Sequence, residues 1–141
     1  MRLIYSFLVL LTSTGMAGAD SAALQALNTY RSGEGRAPVA YSTELEAAAQ
    51  SHALDMARSG FFDHTGSDGS SVAQRVSRLG YGWCIVAENI AKGQQSLSEV
   101  MQAWADSPGH KRNMLSTEVT EFALVEAGDY IWVMVLAAPG C

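Results

Sequence analysis

Ala87-Glu88-Asn89-Ile90-Ala91 and, one helix later, Ser107-Pro108-Gly109-His110-Lys111-Arg112-Asn113-Met114-Leu115 bound the stretch whose reading decides the fold. The first segment closes an apolar run that reads as an extended, mostly buried strand over Trp83 to Ile90, and Glu88 interrupts that run with a charge. An isolated carboxylate in an apolar strand is costly, so Glu88 either faces water at a strand end or has a partner such as a histidine. In the second segment Ser107-Pro108 stops a helix, because proline disfavours helical backbone in the residue before it. Pro108 then suits the first turn of a short helix carrying His110, Asn113 and Met114. Between the two, Ser96 and Glu99 read as a capping box, and Leu97, Val100, Met101 and Trp104 give the intervening helix one apolar face.

Upstream, Asp20 or Ser21 can cap a helix carrying Leu24, Leu27 and Tyr30 that ends before Gly33 and Gly35, and a loop with Pro38 follows. Leu45, Ala48, Ala49, His52, Ala53, Met56 and Ala57 recur at helical spacing, with Thr43 and Glu46 as a capping box and Gly60 as the C-cap. Alanine dominates that stripe, so the helix should lie close against a flat surface such as a sheet. His52 sits inside the stripe and reads as a core histidine with one hydrogen-bond partner. Phe61 to Gly69 is a loop by its Gly, Ser and Asp content, and its His64 is not constrained by packing. A short helix over Ser71 to Leu79 should place Val72, Val76 and Leu79 on one side, before Gly80 and Gly82 break it. Downstream, Glu121 to Ala127 and Tyr130 to Ala137 flank Gly128-Asp129 as an antiparallel hairpin. The sum is an α+β domain with helices covering a central sheet.

The chain has 141 residues and opens with Met1-Arg2, an apolar run from Leu3 to Leu11 and the small triplet Ala17-Gly18-Ala19. That layout is expected of a signal peptide over residues 1–19, cut before Asp20, and the run is too short to be a membrane anchor of roughly 20 residues. Residues 20–141 are then one domain, exported to the periplasm, the cell surface or the medium. Removing Arg2 leaves eight basic against fourteen acidic residues, a net charge of −6. Such a balance argues against nucleic acid and anionic membranes as partners. Cys84 and Cys141 are the two cysteines; in an exported protein they read as a disulfide, with two free thiols as the alternative.

In combination, Ala49-Gln50-Ser51-His52-Ala53, Phe62-Asp63-His64, Asp68-Gly69, Gly80-Tyr81, Ala87-Glu88-Asn89-Ile90-Ala91, Trp104, Ser107 to Leu115 and Trp132-Val133 resemble the CAP superfamily of cysteine-rich secretory, antigen and pathogenesis-related proteins. The resemblance runs from about Leu24 to Leu136 and points to the short bacterial branch. It implies an α-β-α sandwich, with a mainly antiparallel sheet and a central cleft lined by two histidines and two acids. His64, Glu88 and His110 match three of those positions. The fourth holds Ser107: either Asp106 just before it substitutes by a small shift of the turn, or the fourth acid is absent.

From the resemblance, His64 and His110 are the candidate ligands of zinc or another divalent cation, with acids orienting water or the rings, but Ser107 in place of an acid makes the site less negative, so weak or no metal occupancy is expected. The competing expectation is a network in which Glu88 holds both histidines. The resemblance also implies a non-enzymatic module, expected to be monomeric, for an extracellular lipid, glycan or protein. Phe61, Phe62, Tyr81 and Trp83 are candidate apolar contacts for such a ligand, with ordinary core packing as the other use of these rings. Hydrolysis by a metal-bound or Glu88-activated water is the enzymatic alternative. No H-E-x-x-H or G-x-S-x-G motif supports it.

Overall fold

The computed structural model describes residues 16–141, with side chains from Asp20 onward, so most of the expected signal peptide lies outside the described residues. Five helices and four strands follow in the order α1 (Met16–Gly33), β1 (Ala40–Tyr41), α2 (Thr43–Ser59), α3 (Val72–Arg78), β2 (Trp83–Lys92), α4 (Leu97–Ala105), α5 (Pro108–Met114), β3 (Glu121–Ala127) and β4 (Ile131–Pro139). The sheet order is β1-β3-β4-β2, antiparallel except for the β1–β3 pair.

Both faces of the sheet are covered, which is why β3 and β4 are apolar without alternation. On one face Ala123, Val125, Val133 and Val135 pack against Leu45, Ala49, Ala53 and Met56 of α2. On the other, Phe122, Leu124, Met134 and Leu136 pack against Leu27 of α1, Val100 and Trp104 of α4 and Met114 of α5. This is the α-β-α sandwich. The alanine stripe lets α2 approach β3 and β4 closely, and each fully buried large side chain such as Met56 or Leu45 contributes about 1.5–3 kcal/mol of transfer free energy.

Several local expectations shift. The cap of α2 is Ser42, whose Oγ accepts from Leu45 N, so the Thr43–Glu46 box does not form. Gly60 does end α2, in the left-handed conformation (φ 71°) that glycine adopts without steric cost. Asp20 and Ser21 lie inside α1 and do not cap it; Asp20 accepts from the Tyr41 hydroxyl at 3.1 Å. Only half of the Ser96–Glu99 box is present: Ser96 Oγ accepts from Glu99 N, while Glu99 accepts from Gln95 N. Leu79 caps the end of α3 and is 44 % exposed, and Arg75 takes the buried place beside Val76. In the last hairpin Tyr130 joins the turn with Asp129, both at positive φ, so β4 starts at Ile131.

Cys84 and Cys141 form a disulfide with Cα atoms 5.3 Å apart, tying the chain's last residue to the start of β2. No helix among the described residues is long and apolar enough to cross a membrane.

Candidate functional site

β2 is an edge strand, and its period-2 alternation sends successive side chains into different layers. Glu88 lies on the same face as Val86 and Ile90, towards α2 and α3; Asn89 lies with Ala91, towards α4 and α5. The candidate site straddles this edge.

On the first face the Glu88 side chain is only 2 % exposed, and both of its oxygens are engaged. His64 Nδ1 donates to Oε1 at 2.8 Å, and Arg75 Nη2 donates to Oε2 at 2.8 Å. The same Nη2 also reaches the His64 carbonyl at 3.0 Å, and Nη1 donates to the Ser70 carbonyl at 2.7 Å. Arg75 therefore neutralises Glu88 and holds the backbone of the histidine that Glu88 orients. The loop before it is built for this: Gly66 N donates to Ser70 O, and an added Cβ at Gly66 would fall 2.8 Å from Ser70 Oγ. Ser71 and Gln74 then form a reciprocal capping box that starts α3.

His52 is buried behind this group, with Nε2 donating to the Asp63 carbonyl at 2.9 Å and lying 3.8 Å from Glu88 Oε1. It is the core histidine with one hydrogen-bond partner that the alanine stripe suggests. Its Nδ1 has no partner, and neither does Arg75 Nε. Orphaned buried groups of this kind typically cost about 1–3 kcal/mol each.

On the second face Asn89, fully buried, donates to the His110 carbonyl at 3.1 Å and accepts from Asn113 Nδ2 at 2.8 Å. The edge carbonyls of β2 are covered from this layer: Trp104 Nε1 donates to Ile90 O at 3.2 Å, and Asn113 Nδ2 lies 3.4 Å from Glu88 O. Side chains thus occupy acceptors that an exposed edge would offer to another strand. Arg31, almost fully buried, pins the end of α5 by donating to the Met114 and Ser116 carbonyls at 2.7 and 3.0 Å. His110, half-buried, stacks obliquely on Trp104 with ring centroids 6.4 Å apart.

Electrostatics separate the histidines. The hydrogen bond to Glu88 raises the pKa of the exposed His64 ring. Burial lowers that of His110, and the neighbouring charge on His64 lowers it further. Burial also lowers His52, against an opposing pull from Glu88. A histidine whose folded pKa is raised stabilises the fold fully below its unfolded value of about 6.5, and that contribution fades as pH rises through the folded value. For His52 and His110 the sign reverses, and stability is lost as pH falls below about 6.5. Urea denaturation of wild type and His64→Ala from pH 5.5 to 8.5 is expected to show a stability gap that narrows as pH rises. A gap constant across that range would refute the coupling.

The structure brings His64, Glu88 and His110 to this edge and leaves Asp106 out. Asp106 lies two residues beyond the buried Trp104, about 200° around the helix, so it faces outward. It is exposed and accepts from Gln102 Nε2 at 3.0 Å. Ser107 is the N-cap residue of α5 but makes no side-chain cap bond. Of the aromatics, Tyr81 is core and donates to Glu121, and Phe61 packs against His52 with ring centroids 6.3 Å apart. Phe62 and Trp83 are exposed, Trp83 donating to Ser77 Oγ at 2.9 Å. Sequence reasoning missed Arg75; the available signal was a guanidinium one residue before Val76, within an apolar stripe.

As folded, the residues do not fit zinc. A zinc site takes three or four protein ligands. Among the described residues no group of three or more His, Cys, Asp or Glu is arranged to hold a metal. Glu88 is committed to His64 and Arg75, Asp106 points elsewhere, and the Arg75 cation offsets the one buried carboxylate.

The chain matches the sequence model of the Cysteine-rich secretory protein family, CAP, over residues 24–135. It belongs to this family. Over 107 residues the CAP domain is 33 % identical to the uncharacterized protein YkwD of Bacillus subtilis, a match covering 74 % of this chain and 41 % of that protein. It superposes on an extracellular protein containing an SCP domain from Bacillus anthracis with a TM-score of 0.77 at 24 % identity, covering 96 % of this chain and 46 % of the other. An outer surface protein of Borrelia burgdorferi gives a TM-score of 0.77 at 20 % identity, with 85 % and 92 % covered. The chain thus spans less than half of the first two relatives' length, and the structural likenesses establish the fold alone.

Proposed function

We propose that this CAP chain is an exported, monomeric, non-enzymatic binding module whose ligand, a lipid, glycan or protein, contacts His64 and His110 at the β2 edge. The observation that carries this reading is the commitment of both Glu88 oxygens to His64 and Arg75 at 2.8 Å, with the side chain 2 % exposed. A general base must reach the water it activates, and Glu88 is enclosed and already accepting charge-assisted bonds. What the arrangement supplies instead is a fixed, exposed imidazole with its Nε2 edge free of Glu88, and a second histidine whose backbone is held by Asn89 on a helix that Arg31 pins at its end. Export rests on the signal-peptide layout of residues 1–19, which places the mature start at Asp20.

The test uses protein purified from its exporting host, with lipid extraction and mass spectrometry, a glycan array and pull-down from the growth medium. A His64→Ala/His110→Ala variant is run alongside. The expected result is a retained ligand whose recovery falls at least about tenfold in the variant, as removal of two polar anchors predicts. Peptide and ester hydrolysis should stay at buffer level. Hydrolysis above buffer that His110→Ala abolishes, or no ligand in any assay, would overturn the proposal.

A further inference from the structure

Leaving out Arg2, the chain carries eight basic and fourteen acidic side chains, and the basic ones are unevenly spread. Four of the eight, Arg31, Arg36, Lys111 and Arg112, gather where the turn after α1 meets α5. A hollow of about 390 Å³ opens there, lined by Arg36, Pro108, Lys111, Arg112 and Leu115, with no acidic residue in its wall. Pro108, Lys111, Arg112 and Leu115 fall at i, i+3, i+4 and i+7, so one face of α5 and its cap supplies them. His110 lies off that face and stacks on Trp104.

A buried cation fixes the two walls. Arg31, 1 % exposed, donates through Nε to the Ala37 carbonyl at 2.8 Å, next to Arg36, and through Nη1 to the Met114 and Ser116 carbonyls at the end of α5. Arg36 N closes the same turn on the Arg31 carbonyl at 2.8 Å. Arg31 adds a fourth positive charge beneath the hollow, and burial together with the Arg36 charge lowers its pKa.

The lining cations are open to solvent: Arg36 and Arg112 are exposed and Lys111 is half-buried. Among the described residues none of the three joins an ion pair, whereas Arg75 is paired with Glu88 and Arg78 with Asp68. Glu34 and Asp106 border the neighbouring groove that Lys111 shares, without pairing with it. The Arg112 guanidinium folds back along α5, where a Cβ added at Gly109 would lie 3.7 Å from Nη2. Like charges gathered at one hollow repel, and an anion between them relieves the repulsion.

Two planar guanidinium forks and one ammonium define that anion. Each fork matches two oxygens of a phosphate or a carboxylate, and the ammonium adds a point charge. A carboxylate offers two oxygens and one charge, which a single fork already uses. A phosphate monoester offers three terminal oxygens and nearly two negative charges at neutral pH, enough for all three side chains. The net charge of −6 opposes long anionic polymers, and the hollow is a local exception of the size of one small group. We propose that this hollow is an anion site, apart from the His64–His110 cleft, that holds a phosphate monoester through Arg36, Lys111 and Arg112.

The probes are inorganic phosphate and glycerol phosphate, with acetate as the carboxylate counterpart, titrated into the exported protein at constant ionic strength and read by amide shifts in NMR. Arg36→Gln/Arg112→Gln removes two of the three cations, and Arg36→Gln alone replaces it if the double variant shifts the melting curve. Arg58→Gln/Lys92→Gln removes the same charge from exposed positions elsewhere. The expected result is saturable phosphate binding with shifts around α5, weakened at least about tenfold by Arg36→Gln/Arg112→Gln, as loss of charge-assisted bonds predicts. It should be kept within about twofold in Arg58→Gln/Lys92→Gln, since exposed charges beyond about 10 Å are screened, and it should persist in His64→Ala/His110→Ala. Sedimentation with phosphatidylcholine vesicles containing phosphatidic acid separates the sources. Vesicle binding that Arg36→Gln/Arg112→Gln abolishes marks a lipid headgroup, and binding of the soluble probes alone marks a free phosphate. Four results would each overturn the site: no saturable shift with phosphate at tens of millimolar, acetate bound as tightly, equal weakening in both charge-removing variants, or binding lost in the histidine double variant. None of the four bears on the cleft ligand, so the two proposals fail separately.

Discussion

Arg75→Met is expected to destabilise the fold by about 3–5 kcal/mol, the range for breaking a buried ion pair by removing one partner. Arg75 is 7 % exposed and Glu88 2 %, so the carboxylate left behind has no water to replace the guanidinium. The His64 carbonyl loses the Arg75 donor in the same step and the Ser70 carbonyl keeps only Gly66 N, and both belong to the loop that carries the candidate site. Against a total stability of about 5–15 kcal/mol for a domain of ordinary size, this is a large fraction. Glu88→Gln added to Arg75→Met removes the uncompensated charge while keeping an acceptor for His64, so the double variant should regain a substantial part of the loss. Urea denaturation of the wild type, both singles and the double gives the coupling directly. A cost under about 1 kcal/mol for Arg75→Met would mean that water or rearrangement compensates Glu88, contrary to a buried pair.

Removing the disulfide is expected to have the second large effect. Cys84→Ser/Cys141→Ser opens a loop spanning a sequence separation of 57 residues, and the chain-entropy relation gives about 4 kcal/mol for such a loop. The effect should be uneven along the sheet. Trp83 pairs with Pro139 beside the bridge, and Gly140 N donates to Gly82 O at 3.1 Å, so this end depends on the link. Glu88 opposite Val135 lies deeper in the β2–β4 ladder, between two packed layers. Thermal melts should fall, and hydrogen exchange should rise near Trp83 and Pro139 before it rises near Glu88. Unchanged melting in the double serine variant would show that the ladder holds without the bridge.

Three candidate site residues stood out because their surroundings did. Glu88 stood as a lone charge inside an apolar strand and so demanded a partner; His64 lay in a loop free of packing; His110 followed a proline that starts a helix. The partner that matters most, Arg75, was not legible. Its helix is seven residues long, too short for a strong periodic signal, and a guanidinium on the buried face looks like a break in the pattern until Glu88 is placed opposite. The outward position of Asp106 was not legible for a related reason: proximity in sequence to Ser107 says nothing about which way the last turn of α4 points, and the buried Trp104 turns Asp106 outward.

By itself the sequence determined the elements with strong local periodicity. These are α2 with its alanine stripe and Gly60 stop, the apolar strand around Glu88, the two helices divided at Ser107-Pro108, and the final hairpin. It also carried the family pattern that joins them. Tertiary structure decided the rest. β1 is two residues long and exists because Ala40 and Tyr41 pair in parallel with Glu121 and Phe122, about 80 positions away. The edge position of β2 brings His64 and His110 from different layers to one place. The Arg75 pairing supplies the partner that the buried Glu88 carboxylate requires. Periodicity is a local property, set by the nearest few residues, whereas strand order and buried charge pairing depend on groups far apart in the chain, whose meeting only the packed fold specifies.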